Sequence, residues 1–291
     1  MSYTDLYLTP PTVTQYGKEK DPHVYVFGVP FDATCSYKPG TRFGPNAIRH
    51  AFVNIEINSM RYDVELEHLT IEDLGNIKLT VNPVVMLDVV GKVTKEVIAK
   101  NKQTVILGGE HLLTFGTFMS TPENTALVVF DAHYDLRDEY ADMKLSHASF
   151  LRRIVEKRGA GNIVHVGARG FSAEEADYRN KINLRSISNK ELRNGNGTKL
   201  LKDAVSSFND VYVSIDLDVV DPAFAPGVGT PESFGITSHQ LMDLVYTLED
   251  KKIKCFDIVE LSPPYDTGAT SSLAAKLMAE IILMGAKGLD R

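Results

Sequence analysis

The chain has 291 residues, 43% of them hydrophobic, enough to bury the core of one large domain or two small ones. A formal net charge of −7 argues against a nucleic-acid binder, which needs a basic stripe to neutralise phosphates, and it suits a cationic small substrate. Cys35 and Cys255 form no zinc-like spacing and read as reduced, buried thiols. Met1-Ser-Tyr-Thr-Asp5 lacks a signal pattern and no apolar run is expected to span a bilayer, so the expected setting is the cytoplasm, without membrane or nucleic-acid partners.

In chain order, Val24–Val29 is the first short β-type run, and Val85–Lys100 follows with apolar residues at helical spacing. The run Thr104–Leu107 ends in Gly108-Gly-Glu-His111, and Ala126–Phe130 ends in Asp131-Ala-His133-Tyr-Asp135. A helical pattern at Ser149–Arg158 precedes the run Asn162–Val166, which ends in Gly167-Ala-Arg169. Asn194-Gly-Asn-Gly-Thr198 reads as a loop before a helix over Lys199–Phe208. Val211–Ile215 then ends in Asp216-Leu-Asp218. Thr237-Ser-His-Gln240 has the form of a capping box for a helix over His239–Leu248. Ile253–Val259 ends in Glu260-Leu-Ser-Pro-Pro264, and Ser271–Ala286 reads as a mostly buried closing helix. Apolar strands alternating with helices predict a parallel sheet covered on both faces, as a single α/β domain over residues 1–291.

Open parallel sheets bind ligands beyond the carboxyl ends of their strands, where five of these runs carry polar groups. Alternate residues of an extended chain point to one side, so Asp131/His133/Asp135 and Asp216/Asp218 each offer ligands to one point. With His111 they make two imidazoles and four carboxylates, a set that favours manganese or magnesium over zinc. Six ligands are too many for one catalytic ion with open positions and suit two ions bridged by carboxylates, roughly 3.5–4 Å apart. A lone strand-end Asp is ordinarily a turn or helix cap; the DxHxD and DxD units together reverse that expectation.

Gly108-Gly-Glu-His111, Asp131-Ala-His-Tyr-Asp135 and Ser214-Ile-Asp-Leu-Asp-Val-Val-Asp-Pro222 resemble the three metal motifs of the ureohydrolase family of arginases and agmatinases. Pro39–Arg49 and Glu260–Asp266 resemble its early and late loops, and the likeness runs from about Phe27 to the C-terminus. The resemblance implies a three-layer α/β/α fold around a mainly parallel eight-stranded sheet, two manganese ions per chain, and trimers or hexamers. One ion would take His111, Asp131, Asp135 and Asp216, the other Asp131, His133, Asp216 and Asp218, with Asp131 and Asp216 bridging. Asp135 would hold the attacking hydroxide and relay its proton, His147 matches the family's proton-shuttling histidine, and Glu260 matches the acid that pairs with a guanidinium. Tyr134 stands where threonine is usual and Glu110 where aspartate is common; neither is a ligand.

The implied reaction is hydrolysis of agmatine to putrescine and urea. Rivals are an arginase or another guanidino hydrolase, a catalytically silent polyamine binder, and a single-zinc deacetylase on a related fold. The stretch Leu136–Tyr140 lacks the Asn and Thr/Ser pattern with which arginases hold an α-carboxylate. Asp138 and Glu139 would attract an ammonium if they face the pocket, and Arg137 is expected to pair with a neighbouring acid. Asp221 reads as a support for the ligands or a turn cap, Arg42, Arg49 and Arg169 as loop anchors or interface residues, and His23, His50, His68, His165 and His239 as solvated or packed residues.

Overall fold

The computed structural model describes residues 2–9, 21–59, 61–62 and 66–287; the outer ends of the expected 1–291 domain, Met1 included, lie outside them. Among the described residues there are nine strands, β1 (Leu8–Thr9), β2 (Val24–Val29), β3 (Ile71–Ile77), β4 (Gln103–Gly108), β5 (Ala126–Phe130), β6 (Ile163–Val166), β7 (Arg185–Ile187), β8 (Asp210–Asp216) and β9 (Lys252–Val259). They form one sheet in the order β1-β3-β2-β4-β9-β8-β5-β6-β7, parallel throughout except for β1, which runs antiparallel to β3. The sheet thus has one strand more than the expected eight, the surplus including the two-residue edge strand β1. Strands β3 and β7 carry no apolar run in the sequence, because β3 is polar and only half-buried and β7 is three residues long.

Alternation along each strand fills two cores. Val24, Val26, Val211 and Val213 face one layer with the helices Gly44–Phe52, Ser238–Tyr246 and Ala269–Ala286. Tyr25, Phe27, Leu127, Val129 and Tyr212 face the other, under Pro83–Ile98, Leu113–Phe118 and Phe150–Arg158. Each fully buried aliphatic or Phe side chain contributes about 1.5–3 kcal/mol, and this double core gives the sheet a rigid centre.

The helix Ser238–Tyr246 opens with the expected box, Thr237 Oγ1 accepting from Gln240 N–H and Gln240 Oε1 from Thr237 N–H. Pro83–Ile98 is capped by Asn82, with Pro83 at its first position. The segment Asn194–Thr198, read as a loop, is instead a tight helical kink: a π-type turn at Leu192–Asn196, with Gly195 at φ 79°, runs straight into the helix Gly197–Ala204. Glycine's tolerance of positive φ lets one helical segment change direction there without a loop. The closing helix Ala269–Ala286 is long and apolar enough to cross a membrane by length and composition, contrary to expectation; 67% of it is packed inside the protein.

Candidate metal centre

The four central strands β4, β9, β8 and β5 are consecutive in the sheet, and their carboxyl ends carry His111, Glu260, Asp216/Asp218 and Asp131/His133/Asp135 respectively. Residues from four separate stretches of chain therefore meet at one edge. Close backbone approach helps to bring them together. A Cβ on Gly109 would lie 2.3 Å from the Phe31 carbonyl, so only glycine lets the chain after β4 run this near β2. Asp135 (φ 51°) and Glu260 (φ 64°) occupy the left-handed region that L-residues avoid, turning their side chains back over the strand ends at the cost of local strain.

Among the described residues, two groups present ligand atoms within 4.8 Å of one another: His111, Asp131 and Asp135, and Asp131, His133 and Asp218. Asp131 belongs to both. Its Oδ2 lies 3.1 Å from His111 Nδ1, and its Oδ1 lies 3.6 Å from His133 Nδ1 while accepting the His133 N–H at 2.6 Å. Asp216 turns Oδ2 towards His111 Nδ1 at 3.2 Å, and Asp218 Oδ2 sits 2.9 Å from His133 Nδ1. Thr230 Oγ1 steadies Asp218 Oδ2 at 3.2 Å.

The imidazole of His111 is fixed from behind. Asp257, fully buried on β9, accepts hydroxyl protons from Ser214 (2.6 Å), Thr114 (2.8 Å) and Tyr212. With its proton committed to Asp257, Ser214 Oγ accepts from His111 Nε2–H at 2.9 Å. That leaves Nδ1 facing the carboxylates, and the His111 ring also stacks on Phe150 at 4.0 Å. A carboxylate–hydroxyl chain that sets the ring's tautomer is how metal-ligating histidines are held. Neither residue was picked out from the sequence: period-two spacing from Asp216 is a signal that could have found Ser214, whereas Asp257 is hidden in an apolar run.

The electrostatics fit a bound cation. Burial, together with the charges of Asp218 and Asp131, raises the Asp216 carboxyl well above its usual range, and burial with Asp131 does the same to Asp135. Burial opposes charge on His111 and His133, yet Asp131 with Asp216 or Asp218 raises both imidazoles well above their ordinary value. His111 Nδ1 and Asp131 Oδ2 are buried without a hydrogen-bond partner. Divalent cations would relieve the carboxylate repulsion, occupy those orphaned atoms and displace the protons on the imidazoles.

Glu260 is buried beside the centre. Its Oε1 accepts the His111 N–H at 2.7 Å, and its side chain lines the same cavity as His133, Asp135 and Asp216. Burial and the nearby Glu110 push its pKa up to about 8, as expected of a carboxyl that lacks a cationic partner. His147 also lines this cavity, which has a volume of about 270 Å³ and a rim formed by Arg137, Tyr140, Phe171, Glu175 and Glu232.

Two residues expected at the substrate tail are elsewhere. Asp138 bonds Arg153 at 2.9 Å, and Glu139 is exposed; neither lines the cavity. Arg137 does, 3.7 Å from Glu175, the acid that pairs with it. Glu232, also on the rim, carried no signal in the sequence. The three arginines anchor local structure: Arg169 donates to the carbonyls of Asp218, Val219 and Glu232, Arg49, on the helix Gly44–Phe52, grips Asp73 at 2.7 and 2.8 Å, and Arg42 pairs with Asp32. Asp221 accepts from Ala223 and Gly235 N–H groups and is a turn cap. His165 is packed beneath the site and donates from Nε2 to the His133 carbonyl at 2.6 Å, while Tyr134 packs against it and Phe171. Cys255 is buried as expected, whereas Cys35 is only partly so.

An acidic metal-competent cluster at the mouth of a doubly covered parallel sheet, with one more carboxylate beside it, fits a metal-dependent hydrolase of a cationic substrate. The chain belongs to the Arginase family, whose profile matches residues 22–284. It is 36% identical over 272 residues to the agmatinase of Pyrococcus horikoshii, covering 92% of this chain and 94% of that protein. The agmatine ureohydrolase structure from Thermoplasma volcanium superposes with a TM-score of 0.89 at 36% identity, over 93% of this chain and 92% of that one. The proclavaminate amidino hydrolase of Streptomyces clavuligerus superposes with a TM-score of 0.86 at 32% identity, over 97% and 98%.

Proposed function

We propose that the protein is a binuclear manganese agmatinase, hydrolysing agmatine to putrescine and urea. The observation that carries this reading is the sharing of Asp131 between two ligand groups that open, with Glu260, into one cavity. His111, Asp131, Asp135 and Asp216 would hold one ion, and Asp131, His133, Asp216 and Asp218 the other. Bound there, two divalent ions lower the pKa of water enough to supply a hydroxide nucleophile at neutral pH.

The chain's own groups do the rest. Glu260 keeps Oε1 on the His111 N–H and offers Oε2 to the guanidinium, whose positive charge would draw this carboxyl back to its ionised form. Asp135 holds the nucleophile's proton at its carboxylate and passes it on. His147, pushed down to about 4 by burial and then by the charge on His133, is neutral at pH 7. It therefore takes a proton at Nε2 before it delivers one to the departing amine.

The tail of the substrate is selected at the rim. Arg137 faces Glu175, whereas Glu232 is half-exposed and 3.6 Å from His133 Nε2, too far for a hydrogen bond. Glu232 is thus the acid free to meet an ammonium at the far end of agmatine, a role the sequence reading gave to Asp138 and Glu139. Urea release by manganese-loaded protein on agmatine, arginine, guanidinobutyrate and formiminoglutamate tests the assignment. Agmatine should lead arginine in kcat/KM by at least about tenfold, about 1.4 kcal/mol of transition-state discrimination. Equal or better turnover of arginine overturns the substrate and leaves the metal chemistry standing. The trimer or hexamer implied by the resemblance is read by light scattering.

A further inference from the structure

Behind His147 lies a buried pair of polar side chains, Thr34 and Glu110. Thr34, on the loop after β2, donates its hydroxyl to Glu110 Oε1 at 2.6 Å and its backbone N–H to Glu110 Oε2 at 2.9 Å. The Thr34 hydroxyl also accepts the backbone N–H of His147 at 3.0 Å, and His147 Nδ1 lies 3.3 Å from the same oxygen. On the other side of the ring, Nε2 lies 3.2 Å from Ser36 Oγ, at the cavity wall. Glu110 and Thr34 are both buried, so water does not compete for these bonds.

A threonine hydroxyl has one proton and two lone pairs. Burial lifts the Glu110 carboxyl to about 7, so above that pH it is ionised; the Thr34 proton then goes to its Oε1 and one lone pair to the His147 N–H. The remaining lone pair faces Nδ1, and a lone pair can only accept. Nδ1 must therefore carry hydrogen, and the lone pair of the neutral ring falls on Nε2, towards Ser36 and the cavity.

We propose that Glu110 and Thr34 are positioning residues that lock His147 in its Nδ1–H tautomer and aim Nε2 at the reacting groups. The proposal rests on the reading of His147 as the proton carrier of this site. The longer side chain at position 110 gains a function from it: it places a carboxylate oxygen on the Thr34 hydroxyl while the other oxygen takes the Thr34 N–H. Neither Glu110 nor Thr34 touches the reacting atoms; both act through the imidazole.

The relay makes an unusual demand on Glu110→Gln. The Thr34 N–H requires an acceptor, so the amide oxygen turns to it and the amide NH₂ faces the Thr34 hydroxyl. That hydroxyl is then an acceptor there and must give its proton to His147 Nδ1, which moves the ring hydrogen to Nε2. Thr34→Val removes the relay at constant shape, and Thr34→Ser keeps it.

The test is histidine ¹⁵N NMR on protein loaded with Mg²⁺, a diamagnetic ion, with His147 assigned by His147→Gln, alongside steady-state kinetics with Mn²⁺. The expected spectrum shows Nδ1–H at His147 in the native chain and in Thr34→Ser, and Nε2–H in Glu110→Gln. In the kinetics, Thr34→Val and Glu110→Gln should lose roughly 10–100-fold in kcat with KM within about twofold, less than the 10²–10⁴-fold typical of removing an acid–base group outright. Thr34→Ser should retain most of the rate. Nε2–H in the native chain, or an unchanged tautomer in both Thr34→Val and Glu110→Gln, overturns the relay. So does a loss confined to KM. Should none of the guanidino compounds be turned over, the functional reading fails by itself, and the NMR result still decides the relay.

Discussion

The floor of the cavity and its rim are built by opposite means. On the floor, His111, Asp131, Asp216 and Asp218 stand at the ends of central strands, are buried, and each has a polar side-chain atom held by a neighbour. On the rim, Arg137, Phe171 and Glu232 come from loops and are part- or half-exposed, and Arg137 is held by a long ion pair to Glu175 and by the Tyr140 ring, 5.5 Å from its guanidinium. Rigid elements hold the chemistry, where displacement by an ångström is costly, and loops hold the selection, where change is tolerated. Relatives with one fold can therefore share a reaction and differ in substrate.

If this division is right, the largest effects come from the floor. Asp131→Ala should remove metal from both groups and abolish urea release, whereas His111→Ala should weaken mainly one ion; metal analysis after gel filtration separates the two. Asp135→Asn should keep at least part of the metal but cost roughly 10²–10⁴-fold in kcat, because an amide cannot accept the relayed proton. Behind the ligands, Ser214→Ala should weaken divalent-ion affinity by about 10–100-fold, the usual cost of losing a group that orients a ligand, measured by competition with a chelator. A wild-type affinity in that variant would detach the Asp257–Ser214 chain from metal binding.

The rim should respond more gently and selectively. Glu232→Gln should lower kcat/KM for agmatine by about tenfold, yet leave an alkylguanidine with an uncharged tail within about twofold. Equal losses on both substrates would make Glu232 part of the floor. The smallest effect concerns His147, whose folded pKa of about 4 lies below its unfolded value. Between those values the unfolded chain binds the extra proton, so this contribution to stability is present near neutral pH and lost as pH falls towards 4. Urea unfolding of native and His147→Gln metal-free protein from pH 7 to 4.5 should show the variant as the less acid-sensitive.

The floor was legible in the sequence because strand geometry puts alternate residues on one side, so spacing alone grouped Asp131 with His133 and Asp216 with Asp218. The helices at Pro83–Ile98 and Ser238–Tyr246 were equally plain from their periodicity and caps. The rim was not. Arg137 keeps to the side of His133 and Asp135 and stays inside, while Asp138 bonds Arg153 and Glu139 is exposed; the expectation followed the charge of Asp138 and Glu139 and not their position. Glu232 comes from a distant loop with no periodic signal, and Asp257 was masked by the apolar residues around it. Glu110 was noted only as a departure from aspartate, since its partner Thr34 lies on a separate loop that folding alone brings near.

The central claim is that two divalent ions share Asp131 to drive one hydrolysis. Stepwise addition of Mn²⁺ to metal-free protein, with urea release from agmatine followed at each step, tests it most directly. Activity should rise to a break at two ions per chain and fall back when chelator removes the second. Full activity at one ion per chain would contradict the account.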